Sequence, residues 1–352
     1  MRFEFYNDAV KNLPKLSVDG TVPNSIHFSH WEGNQTPVQL KADTSTGIAL
    51  NLIGSPDPSV FTNNIELVTN NHFDTDGVLS VWTVLNGSKT LEYGDLLIAA
   101  AESGDFSEYS SEDGIKISLA IQGSEQGNPN EDSISPLAQH VAEADVRDDA
   151  HAYELVLPAI DDLVANIERY ESLWRDGWAA IIKSIETFEK GTSRVTEVPG
   201  EISVISLDPD IFSGGGFNPT RHAAPYTAIS RYARGSLYLI AITAADGTFY
   251  RVDYPYYSWA ETVVRPRIPA RDFSAALFEL NEKEGNQNGR WQLDNQEMTS
   301  AIKFLDSHGS LAPSKLNLEE VAGLIMRQDV ATTADQALSH STAGEDALAP
   351  RS

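Results

Sequence analysis

The sequence predicts an α/β protein: a parallel-sheet N-terminal lobe, a helical connector, and a smaller β-rich (α+β) C-terminal lobe. Three observations carry this. Apolar strand-like runs alternate with helix-like runs before residue 105. Apolar residues then recur at i, i+3 and i+4 through residues 150 to 190. After residue 200, strand-like runs dominate. The boundaries read as 1–150 for an α/β metal-binding lobe and 151–192 for the connector. Residues 193–310 read as a β-rich substrate lobe, and 311–352 as a short helix with a disordered tail.

Taken in order, residues 1 to 20 read as peripheral. Ser25 to Trp31 alternates like a strand. Thr36 and Pro37 supply an N-cap and a first-turn proline for a helix running toward Gly54, with an interruption near Thr44 to Gly47. Ile65 to Thr69 reads as a buried strand, completing a βαβ unit. Gly77 frees the backbone before a helix through Leu85. Leu96 to Ala101 is a six-residue apolar run, read as another strand. Ile115 to Ile121 reads as a helix, and Gln122 to Ser133 has loop composition. Pro158 opens and Gly191 closes the helical connector. Ile202 to Leu207, Ser236 to Thr243 and Thr248 to Tyr257 read as strands, with Ala245-Asp246-Gly247 as a hairpin turn. Ser300 to Leu305 adds a further apolar run. Asn317 and Glu320 form a capping-box start to a last short helix.

The chemistry concentrates between Ile65 and Ser80. His72, Asp74 and Asp76 fall at every second position after the strand. In an extended segment such side chains share one side, and the carboxyl ends of parallel strands are where α/β sheets bind ligands. Carboxylate oxygens and neutral imidazole together suit Mn²⁺, with Zn²⁺, Fe²⁺ or Mg²⁺ as alternatives. Asp105 and His30 end two other strand-like runs and join the candidate ligands. Asp43 is a further ligand candidate if a single ion is bound. An Asx-rich turn capping a helix is the purely structural alternative.

His72-x-Asp74-x-Asp76-Gly77-x-x-Ser80 resembles the first motif of the DHH phosphoesterases. The resemblance implies that the His and both Asp bind a pair of Mn²⁺ ions that hydrolyse phosphoesters or pyrophosphates. It also implies that Asp105 serves as the single Asp of the second motif. The Asp-His-His string that names the family is absent, and His140 and His151 stand alone. Gly214 to Gly216 and His222-Ala223-Ala224 are similar to the family's Gly-Gly-Gly-His-x-x-Ala-Ala-Gly substrate loop. Phe73 to Leu79 also looks like the first haloacid-dehalogenase motif. That family needs its strand to run straight into the Asp, and Asn70, Asn71 and His72 intervene. The whole chain resembles an uncharacterised bacterial group sharing a His-Trp-x-Gly segment followed by Asn-His-Phe-Asp.

Charge sets the substrate class. The chain of 352 residues has a net charge of −26 and no cysteine. That argues against long nucleic acid and excludes thiolate chemistry and Cys-ligated zinc. Residues 221 to 271 reverse the sign, with seven Arg, no Lys and three acids. An all-Arg window suits a small anionic partner, because guanidinium binds carboxylate and phosphate bidentately. Arg221, Arg265 and Arg267 are the candidate substrate readers, and His222 a candidate proton donor beside catalytic Asp74 and Asp76. No run approaches the ~20 apolar residues of a membrane span, and a cytoplasmic setting is expected. The functional expectation is a metal-dependent hydrolase of a small anionic substrate, most simply a phosphoester. An amide-type bond and non-catalytic metal or ligand binding are the alternatives.

Overall fold

The computed structural model describes residues 1–123, 135–142, 145–212, 226–285, 289–293 and 300–327. The architecture is α/β, with two sheets. The first contains four parallel strands: β1 (Arg2–Phe3), β2 (Lys15–Val18), β3 (Ser25–Phe28) and β4 (Leu67–Thr69), in the order β1-β4-β2-β3. Leu16 pairs with Val68 on one side and Ile26 on the other, so β2 is central. The two inner strands, β2 and β4, are short but buried, because helices cover them as parallel sheets require.

Residues 1 to 20 are therefore not peripheral: they supply β1 and the central strand β2. The expected β3–helix–β4 unit exists, but β2 lies between its two strands. The helix α1 (Ser45–Gly54) begins at the interruption, capped by the Thr44 side chain, while Pro37 only precedes a 3₁₀ turn. A short helix α2 (Ser59–Thr62) leads into β4.

After β4 come α3 (Thr75–Asn86), α4 (Gly94–Phe106) and α5 (Glu112–Ile121). The Leu96–Ala101 run is thus helix, not strand. A run of six apolar residues fits either element, and three consecutive alanines favour the helix. Its glycine-poor core packs α4 closely on α5: a Cβ at Gly114 would lie 2.8 Å from Ala99. Helices α6 (Pro136–Val141), α7 (Asp149–Val156) and α8 (Ile160–Ala165) precede the long α9 (Glu171–Lys190). Gly191 ends α9 with φ 75°, a left-handed conformation that glycine adopts without a Cβ penalty.

The second sheet has the order β5-β6-β7-β8-β10-β9. Its strands are β5 (Arg194–Val198), β6 (Ile202–Leu207), β7 (Leu237–Ala244), β8 (Gly247–Asp253), β9 (Arg290–Leu293) and β10 (Ser300–Leu305). Only β6 and β7 run parallel; the helix α10 (Tyr226–Tyr232) lies between them in sequence. The β7–β8 hairpin turns at Gly247, as its sequence signals. Helices α11 (Ser274–Glu284) and α12 (Leu318–Ile325) pack on one face, and Asn317 and Glu320 form the expected capping box. Among the described residues, no helix is long and apolar enough to cross a membrane.

Candidate metal centre

The parallel sheet aims its carboxyl ends at one place. Asp19 follows β2, His30 follows β3, and Asn70 to Asp76 follow β4. Asp19 sits at φ 67°, a left-handed conformation that Asp tolerates better than most residues. Its N–H donates to the Phe28 carbonyl at 3.0 Å, which fixes the turn out of β2. Asp105 reaches the same place from the last turn of α4, not from a strand.

These residues form two groups that share Asp19. Asp19, His30, Asp76 and Asp105 bring one ligand atom each within 4.8 Å of one another, and so do Asp19, His72 and Asp74. Four of the sequence-derived ligands, His30, His72, Asp74 and Asp76, thus meet from two strand ends, and Asp105 joins them. Asp19 was missed, although Leu16-Ser17-Val18 before Asp19-Gly20 has the same strand-then-acid form as the later motif. Asp43 stands apart: its carboxylate accepts the Val263 and Val264 N–H groups and Arg265.

Hydrogen bonds outside the groups orient the ligands. His30 Nδ1 lies 2.6 Å from the Asp43 carbonyl, which turns Nε2 toward the carboxylates. The Asp76 oxygens accept the N–H groups of Ser45 and Thr46 at 2.7 and 2.6 Å. Asp74 Oδ1 caps α3 through the Gly77 N–H at 2.7 Å, leaving Oδ2 3.1 Å from His72 Nε2. The Ser45 hydroxyl donates to Asp19 Oδ1 at 2.8 Å. Behind the loop, Asn70 donates its amide to the buried Tyr153 hydroxyl.

The atoms between these anchors are crowded into ion pairs, two of them without hydrogen-bond geometry. His30 Nε2 lies 3.1 Å from Asp105 Oδ2 and 3.6 Å from both Asp19 Oδ1 and Asp76 Oδ2. It nevertheless has no hydrogen-bond partner. Asp19 Oδ2 approaches His72 Nε2 at 2.8 Å and also lacks a partner in hydrogen-bond geometry. Buried polar groups are ordinarily satisfied. Unsatisfied donors and acceptors converging at this spacing fit a cation. One imidazole with two or three carboxylates in each group suits hard and borderline divalent ions.

The electrostatics agree. Burial alone would lower the His30 pKa, but Asp105, Asp76 and Asp19 outweigh it and push it up to about 10. His72 follows the same pattern against Asp74 and Asp19, reaching about 12. Burial and then Asp19 raise Asp76 to about 6. Burial, Asp74 and Asp76 raise Asp105 well above the ordinary carboxylate range. Negative charge is in excess here, and protons take the place a cation would fill.

The two groups differ in access. The side chains of His30, Asp19 and Asp76 are 0% exposed and that of Asp105 is 5% exposed, whereas His72 and Asp74 are 25% and 22% exposed. A cleft of about 690 Å³ opens beside the outer group, lined by Phe5, Asn71, Phe73, Arg147, Asp148 and Asp149 among others.

Of the arginine readers, neither Arg265 nor Arg267 lines that cleft. Arg265 is committed to carboxylates, bonding Asp43 at 2.8 Å and Glu102 at 3.0 Å. Arg267 is exposed. Arg221, His222 and the Gly214–Gly216 run lie outside the described residues. The arginine in the cleft is Arg147, which the sequence did not single out because it stands outside the Arg-rich window.

Fold and site together define an α/β protein with an acidic cluster that could hold a metal ion. The chain belongs to a family of unknown function, DUF6687, whose model matches residues 1–323. Among solved structures it is similar to a pGpG-specific phosphodiesterase, PggH, from Vibrio cholrae. That match has 10% identity and a TM-score of 0.29, covering 84% of this chain and 78% of that chain. No curated protein matches the sequence.

Proposed function

We propose that this chain is a metal-dependent hydrolase of a small anionic substrate, a phosphoester, with two divalent cations sharing Asp19. The observation that carries this reading is the pair of ligand groups joined at Asp19, with His30 Nε2 and Asp19 Oδ2 buried and unsatisfied. The likeness of His72 to Ser80 to the DHH first motif supports it. His30 and Asp19 would then supply ligands that the absent Asp-His-His string provides in that family.

Bound there, a divalent pair would supply Lewis-acid stabilisation of a phosphoryl oxygen and an acidified water. The chain's own residues do the rest. Asp19 ties the groups to one spacing. The Asp43 carbonyl holds the His30 ring in one orientation. Asp74 divides its oxygens between the α3 amino end and the outer group. Asp76 stands at the amino end of α1, whose dipole favours negative charge there. The cleft borders the loop on either side of His72, at Asn71 and Phe73, and there Arg147 would offer a small substrate a cation. His222 keeps its role as proton donor to the leaving group.

The test is metal analysis of protein stripped with chelator and reloaded with Mn²⁺, followed by assays on p-nitrophenyl phosphoesters and p-nitroanilides. The reading expects two ions per chain and phosphoester hydrolysis that chelator abolishes and Mn²⁺ restores. A chain that takes up no divalent ion, or that cleaves only the anilides, overturns it.

A further inference from the structure

The inner ligand group is covered by a segment from far along the chain. Tyr256–Trp259 forms a 3₁₀ turn. The Trp259 ring meets His30 edge-on, with centroids 4.9 Å apart, and Phe106 at 6.2 Å. The Glu261 N–H donates to the His30 carbonyl at 2.7 Å. Its carboxylate accepts from the Gly33 N–H, the Asn34 amide and Lys41 Nζ at 3.1, 2.8 and 2.9 Å. The Val263 and Val264 N–H groups both donate to Asp43 Oδ1, at 2.6 and 2.8 Å. Arg265 then bridges Asp43 and Glu102, lying over the Phe106 and Tyr257 rings.

These grips fall on the residues that set the inner ligands. Asp43 is the residue whose carbonyl orients His30. Glu102 stands on α4 three positions before Asp105. Between the two grips the segment is exposed, Val263 by 56% and Val264 by 88%, with its turn closed by a Thr262 hydroxyl bond to the Arg265 carbonyl. Beyond the aromatic contacts of Tyr257 and Trp259, the segment is pinned at Glu261 and Arg265 by polar pairs.

We propose that residues 256–265 form a latch that controls exchange of the ion in the inner group, with Arg265 as its clasp. The inference rests on the two-ion reading above. It makes the two positions kinetically unequal: the outer ion exchanges freely through the cleft, and the inner one leaves only when the latch lifts. Arg265 is on this view a positioning residue, acting through Asp43 and α4, not a substrate reader.

The experiment is stopped-flow release of Mn²⁺ from the full chain into excess chelator, with a metallochromic indicator. Wild type should release its ions in two phases, one equivalent in each. Arg265→Gln and Glu261→Gln should each speed the slow phase by about tenfold, the scale on which losing one partly buried charge pair raises a dissociation rate. The fast phase should change less than about twofold. Arg265→Lys keeps the charge but not the fork and should fall between. A general loss of structure would instead speed both phases and lower the melting temperature of the metal-free protein, which is measured alongside. Release of both ions in one phase overturns the latch and leaves the two-ion reading standing. So does a slow phase unchanged in both Gln variants. A stoichiometry of one or none overturns the two-ion reading, and the latch with it.

Discussion

Asp76 holds the amino end of the helix that starts at Ser45. Its oxygens accept the Ser45 and Thr46 N–H groups at 2.7 and 2.6 Å, from 31 and 30 positions earlier in the chain. Asp76→Asn would turn a donor toward one of those donors. The loss of a buried, charge-assisted bond should cost about 1.5–3 kcal/mol, read by chemical denaturation of the metal-free protein. A variant as stable as wild type would show that α1 does not depend on this carboxylate.

Asp74 offers the contrasting substitution. Asparagine is as good an N-cap as aspartate, so Asp74→Asn keeps the bond to the Gly77 N–H and with it the start of α3, losing only the charge that pairs with His72. It should nevertheless lose metal, because the amide brings no charge to the outer group. Metal content and denaturation midpoint, measured on the same preparation, separate the two roles. Full metal content would remove Asp74 from the ligand set.

Asp19 belongs to both groups, and His72 to one. Asp19→Asn should therefore reduce bound metal at both positions, whereas His72→Ala should remove about one equivalent and spare the inner one. Equilibrium dialysis at several Mn²⁺ concentrations gives the stoichiometries. Identical behaviour of the two variants would contradict a shared Asp19.

The histidine pKa values set a pH dependence. His30 and His72 are raised to about 10 and about 12 in the folded, metal-free chain, so both rings are protonated at pH 7. A metal needs them neutral, so binding must release protons and tighten as pH rises from 6 to 8. The stability of the metal-free chain has the opposite sign. Groups raised on folding stabilise fully below their unfolded pKa, about 6.5 for His, and lose that contribution as pH climbs toward 10. Asp76, raised to about 6, adds to the decline from pH 4 upward. Asp19 is lowered, so its contribution is fully present above about pH 4 and is lost only below it. Calorimetric titrations in buffers of different ionisation enthalpy read the released protons, and metal-free melting curves from pH 6 to 9 read the decline. Proton uptake on binding would refute the assignment.

Gly20 tests the loop geometry. A Cβ there would lie 2.0 Å from Asn71 Oδ1 and 2.9 Å from Asn70 Oδ1. Gly20→Ala must displace the Asn70 and Asn71 side chains, which lie in the loop that carries His72. It should lower metal occupancy while the distant second sheet stays folded, as near-ultraviolet circular dichroism of its aromatic core would report. Unchanged occupancy would mean that the loop yields without disturbing the ligands.

Where pattern and physics agreed, the chain was readable. The His72, Asp74, Asp76 register followed from a strand running into a helix, and the β7–β8 hairpin from Asp246-Gly247. Two kinds of information were not local. Leu96 to Ala101 satisfies strand and helix patterns alike until its packing on α5 is known. Asp19 looked like an ordinary turn residue because only the pairing of β2 with β4 brings it to the later motif. Arg265 shows a related limit. Charge alone points equally to a substrate anion and to a protein carboxylate, and here Asp43 and Glu102 are already in place.

The ligand candidates all lie between Asp19 and Asp105, whereas the segment that covers the inner group begins at Tyr256. Synthesis of the roughly 150 intervening residues takes on the order of ten to thirty seconds at about 5–20 residues per second. During that interval the nascent chain can present the inner ligands to the surrounding fluid with nothing over them. On the two-ion reading, an ion can then enter the inner group before the covering segment exists, so that first loading need not wait for the latch to lift.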